Sequence, residues 1–83
     1  MKITVWTYAS CYDGYIERGT FARKADMCKA VWKTLKGFAG SDFPAIKAQS
    51  NGDLEKAYEI ASNDYDLDGG TIQWGPEEIE VAL

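Results

Sequence analysis

"KITVWTYASCYDGYIERGTF", residues 2–21, decides how this chain begins to fold. Ile3, Val5 and Thr7 alternate with Thr4, Trp6 and Tyr8, all residue types that suit a pleated surface. "CYDG" then supplies a turn, with Asp13-Gly14 the dipeptide favoured in two-residue hairpin loops. "YIERGTF" at 15–21 has the composition to return as a second strand. The stretch predicts an N-terminal β-hairpin.

Downstream the period changes. In "ARKADMCKAVWKTLKGF", residues 22–38, Cys28, Val31, Trp32 and Leu35 recur at helical spacing. Lys29, Lys33 and Lys36 fall on the opposite side, and Gly37 is the expected stop. Residues 40–53 form a connector with room for one short helix, begun by Ser41 or Asp42 with Pro44 in its first turn. A second full helix spans 53–63, with Leu54, Ala57, Tyr58 and Ala61 as its apolar line and Ser50 with Asp53 as a capping box. The tail returns to strand patterning: "TIQW" at 71–74, then "EEIEVAL" at 77–83. There Ile79, Val81 and Leu83 face one way and Glu78 and Glu80 the other, with Gly75-Pro76 between the two strands as a turn or bulge. One α+β domain over residues 1–83 follows. It is a small antiparallel sheet, made of the hairpin plus C-terminal strands, covered on one face by two or three helices.

Composition removes several classes of chemistry. With no His there is no imidazole base, triad or zinc ligand. Cys11 and Cys28 are the only cysteines and form no CxxC pair, so a reduced Cys28 on its helix is favoured over a Cys11–Cys28 disulfide. No apolar run approaches the length of a spanning helix. "TYASC" at 7–11 has the shape of a lipoprotein cleavage site, but the stretch before it is too short and too rich in Thr for a signal core. A cytoplasmic protein is expected. No nucleophile-and-base pairing or phosphate loop is present, so neither enzymatic activity nor a cofactor is expected. Charge is two-ended. Residues 1–50 hold eight Lys/Arg against four Asp/Glu, whereas residues 51–83 hold Lys56 alone against nine acids.

The acidic end is densest in "NDYDLDGG", residues 63–70. Asp64, Asp66, Asp68 and Gly69 match positions 1, 3, 5 and 6 of a calcium loop of the EF-hand type. Position 12 is Gly75 where a bidentate Glu belongs, and Gly75-Pro76 blocks the exit helix. A degenerate calcium loop at 64–75 is therefore a minor alternative, and no metal is expected. The plain reading is an acidic turn that uses Gly69-Gly70 to start the next strand, and beside it stands an acidic recognition surface. Asp64, Asp66, Asp68, Glu77, Glu78 and Glu80 would offer phosphate-like charge to a basic partner, and Tyr65 and Trp74 would anchor it. Trp74 also has a plain reading as a core residue.

"ITVWTYASCYDGYIERGTF", residues 3–21, resembles the start of ArdA-type antirestriction proteins through Thr7, Tyr8, Ala9, Tyr12, Gly14 and Gly19 in that order. ArdA proteins are longer and more acidic and mimic DNA phosphates, whereas this chain carries a basic helix and a net charge of −4. More loosely it looks like small acidic phage and plasmid accessory proteins, many anti-CRISPR proteins among them. The resemblance implies a non-enzymatic inhibitor of a nucleic-acid-directed host defence system, with a CRISPR effector subunit or restriction enzyme as partner. The alternative is a nucleic-acid-binding module using helix 22–37, through Arg23, Lys29, Lys33 and Lys36. The acid-rich tail would repel phosphates, so direct nucleic-acid binding is not expected.

Overall fold

Asp13 and Gly14 both take left-handed backbone, at φ 49° and 83°, which gives the tight turn that matches the twist of its flanking strands. A computed structural model of the protein describes residues 1–65, 67 and 69–82. The turn joins β1 (Lys2–Tyr12) to β2 (Tyr15–Phe21), with Tyr12 opposite Tyr15 and Trp6 opposite Phe21. On the other side of β1 lies β3 (Thr71–Glu80), also antiparallel, with Cys11 opposite Thr71 and Lys2 opposite Glu80. The sheet order is β2-β1-β3.

Side chains on alternate positions of a strand take opposite faces. Trp6, Tyr8, Phe21, Ile72 and Trp74 pack against the core, and Ser10 is buried in the same row. Ile3, Val5, Thr7, Ala9 and Cys11 belong to the other face, over which no element packs among the described residues. The architecture is thus a two-layer α+β fold.

The helical layer has three members. α1 runs from Lys24 to Ala39, α2 from Phe43 to Ser50 after a single 3-10 turn at Gly40–Asp42, and α3 from Leu54 to Asp64. Met27, Val31 and Leu35 of α1 sit at successive i, i+4 positions and are at most 1% exposed. Ile46 from α2, Leu54, Ala57 and Ala61 from α3, and Leu67 complete the core with them. Burying an aliphatic side chain of this size stabilises by roughly 1.5–3 kcal/mol. The α1 ridge alone therefore supplies a large part of the gross hydrophobic stabilisation.

Several boundaries differ from the expected ones. Gly37 does not end α1. The helix continues to Gly40, whose φ of 59° lets its N–H reach the Lys36 carbonyl. A glycine lowers helix propensity without terminating a helix whose flanking residues, here Leu35 and Phe38, pack on the core. Met27 takes the fully buried place at the start of α1, leaving Cys28 half-buried. Cys11 and Cys28 are both free thiols. Asp53 caps α3 alone, accepting the Lys56 N–H at 3.2 Å, while the buried Ser50 hydroxyl donates to the Lys47 carbonyl at 2.8 Å. The C-terminal strands are one strand. Gly75-Pro76 lies inside β3, with Pro76 opposite Trp6, and an edge strand tolerates a missing N–H because only one of its sides is laddered. Among the described residues no helix is long and apolar enough to cross a membrane.

Gly19 and Gly37 make opposite demands. Tyr8 lies across Gly19 and stacks on Phe21 with ring centroids 6.1 Å apart. A Cβ at Gly19 would collide with the Tyr8 ring. Gly19→Ala should therefore destabilise by about 1–3 kcal/mol in urea titrations, as overpacking does. A Cβ at Gly37 meets nothing within 4 Å. Gly37→Ala should raise stability by about 0.5–1 kcal/mol in the same titration, since the helix loses its most flexible residue.

Candidate functional site

The residues expected to form one acidic surface are divided between α3 and β3 where they are described. Asp64 ends α3 and is exposed. Asp66 and Asp68, shared by the acidic surface and the calcium loop, lie outside the described residues. Glu77, Glu78 and Glu80 are exposed near the far end of β3, with Glu77 roughly 20 Å from Thr71 at a rise of about 3.3 Å per residue. By strand alternation Glu77 shares the uncovered face with Val5, while Glu78 and Glu80 belong to the other face. Glu80 is ion-paired with the N-terminal ammonium at 3.2 Å. Among the described residues, Asp64 thus stands on α3, while Glu77, Glu78 and Glu80 lie near the end of β3 and are divided between its two faces.

Between α3 and β3 the chain is anchored to the core at Leu67. Leu67 is 5% exposed and belongs to the core, and Gly70 packs so closely under Phe38 that a Cβ would lie 2.9 Å from its ring. Tyr65 is half-buried and its hydroxyl accepts a hydrogen bond from Gln49 Nε2 at 3.3 Å. The lone aliphatic residue between two aspartates was the signal for this anchor.

Trp74 stands apart from Asp64. Its indole meets Tyr58 edge-on at 5.4 Å, and the Tyr58 hydroxyl accepts the Ile72 N–H at 3.0 Å. These contacts give Trp74 a structural role, yet the indole remains partly accessible. Trp6, Trp32 and Trp74, the three tryptophans of the chain, line one cleft of about 680 Å³ between α1, the start of α3 and the strands. Met27 and Cys28 contribute its apolar wall, and Asp53 and Glu55 bring carboxylates to it. Two of the indoles already hold cations. Lys24 Nζ lies 5.5 Å from the Trp6 ring centroid and Lys47 Nζ lies 5.6 Å from that of Trp32. Asp53 and Glu55 were absent from the expected site. Nothing in the sequence indicated that three distant tryptophans would meet beside them.

The basic residues are less uniform than a phosphate-binding stripe would be. Arg23 is paired with Asp26 at 3.1 Å, whereas Lys29, Lys33 and Lys36 are exposed on α1. Lys33 lines a second cleft, of about 660 Å³, between α1 and the hairpin. Comparison of the chain with protein-family models, with curated proteins and with solved structures found no match.

Proposed function

We propose that the protein is a non-enzymatic binding module that docks onto a basic protein surface, with the tryptophan cleft as its anchor. The carrying observation is the meeting of Trp6, Trp32 and Trp74 beside the carboxylates of Asp53 and Glu55. An arginine or lysine from a partner would find an indole face for its cation and a carboxylate for its hydrogen bonds. The chain's own Lys24 and Lys47 already use two of these faces. A lone exposed contact of that kind stabilises by only about 0.5–1 kcal/mol, so a partner cation can displace it. Tryptophan and arginine are also the residues in which interface energy concentrates.

The outlying acids fit the same reading. Asp64, Glu59, Glu77 and Glu78 are exposed and without an ion-pair partner among the described residues. With Asp66, Asp68 and Glu80 they would attract a basic partner through long-range charge and speed its association more than add net affinity. The resemblance of residues 3–21 to ArdA-type proteins favours a nucleic-acid-directed defence enzyme in the host cytoplasm as the target. The basic groove of a CRISPR effector subunit or restriction enzyme supplies the complementary charge, and docking there would inhibit by blocking nucleic acid.

Immobilised protein should retain an effector subunit or restriction enzyme from bacteria carrying both systems. Asp53→Asn combined with Glu55→Gln keeps the helix cap and should weaken that complex tenfold or more, the scale expected for a desolvated charge pair. Neutralising Asp64, Asp66, Asp68, Glu77, Glu78 and Glu80 together should instead slow association and flatten its dependence on salt. Retention of no such enzyme, or inhibition unchanged in both variants, would refute the proposal.

A further inference from the structure

The second cleft exists because small residues face one another. On the sheet side Ser10 sits between Tyr8 and Tyr12, and on the helix side Ala30, Thr34 and Gly37 present little bulk. A helix packed on a sheet would fill this space if those positions were large. The cleft of about 660 Å³ falls within the range of small-molecule sites and shares no lining residue with the tryptophan cleft.

Its chemistry is specific. Tyr12 and Phe38 stack on each other at 5.4 Å and form one aromatic end. Tyr15, at the hairpin tip, is 77% exposed and stacks on no other ring among the described residues. An aromatic ring left bare beside a cleft is a platform for a flat group. Glu17 of β2 and Lys33 of α1 line the cleft from opposite walls, and neither forms an ion pair among the described residues. One wall thus offers an acceptor-only carboxylate and the other a donor-only ammonium.

We propose that this cleft binds a free guanine nucleotide. Of the common bases, guanine alone presents two adjacent ring-edge donors, N1–H and N2–H, which a single carboxylate accepts together. Adenine and cytosine place a lone pair beside their amino group, which the Glu17 carboxylate repels, and uracil offers one donor between two carbonyls. The base stacks on Tyr15, its donor edge meets Glu17, and the phosphate lies toward Lys33. Lys33 is the one cation among the described lining residues and Glu17 opposes it, so the cleft provides for a single phosphate and the ligand is a free nucleotide rather than an internal base.

Calorimetric titration of the full chain at constant ionic strength with 5′-GMP, AMP, CMP and UMP tests this inference independently of partner docking. Saturable GMP binding is expected, with a preference of about tenfold or more over the other three. Glu17→Gln should erase the preference, Lys33→Met should weaken all four nucleotides alike, and Tyr15→Ala should weaken GMP. All three positions are exposed, so circular dichroism should show the fold unchanged. In a two-dimensional amide NMR spectrum, GMP should shift signals of residues 8–17 and 30–38. Absence of heat and of shifts at millimolar GMP, equal binding of the four nucleotides, indifference to Glu17→Gln, or a guanine-containing oligonucleotide binding tenfold tighter than GMP would each overturn it.

Discussion

The structure depends on the contact between one helical ridge and one strand row. Met27, Val31 and Leu35 descend onto the row of β1 that carries Trp6, Tyr8 and Ser10. β1 is the central strand, so what packs on it fixes the height of the helical layer over both neighbours. α1 in turn contacts all three strands and the two later helices. Large side chains in this row set the spacing, and the small ones decide where space remains. Trp6 and Tyr8 hold α1 away from the sheet, while Ser10 leaves the hairpin cleft open at one end. Both proposed sites are by-products of that single interface.

How far the sequence could be read depended on whether a signal was local. The hairpin was legible because Asp13-Gly14 is a turn signal confined to two residues, and the strands beside it had the composition to match. α1 and α3 were legible because their apolar residues recur at helical spacing. The reading went astray where tertiary packing overrode a local signal. Gly37 has the residue type of a helix stop, but Leu35 and Phe38 are held by the core and carry the helix onward. Gly75-Pro76 has the composition of a break, but β1 supplies a continuous ladder beside it. Leu67 has aspartates as neighbours in sequence and core residues as neighbours in space.

The candidate site was less legible still. The acidic bias of residues 51–83 could be counted, and every described carboxylate there is exposed. What the count could not supply was placement in the fold, which puts Asp64 on α3 and Glu77 on β3. Nor could it show that Trp6, Trp32 and Trp74, drawn from a strand, a helix and an edge strand, would meet in one cleft. Such convergence is a property of topology and leaves no periodic trace.

The pairing of β1 with β3 has a consequence for how the chain comes to fold. The hairpin and α1 are contiguous, so their contacts can form as soon as those residues are made. The second neighbour of β1 arrives only after the whole helical segment of residues 24–64 has been made. Non-local pairings of this kind slow folding, because the loop must close before its contacts are gained. Until then one side of β1 stands as a bare edge, open to any strand in the cell. The partner it waits for carries Pro76 and three glutamates along the outermost strand, features that discourage pairing with anything else. The same strand that closes the sheet therefore limits its growth into larger assemblies.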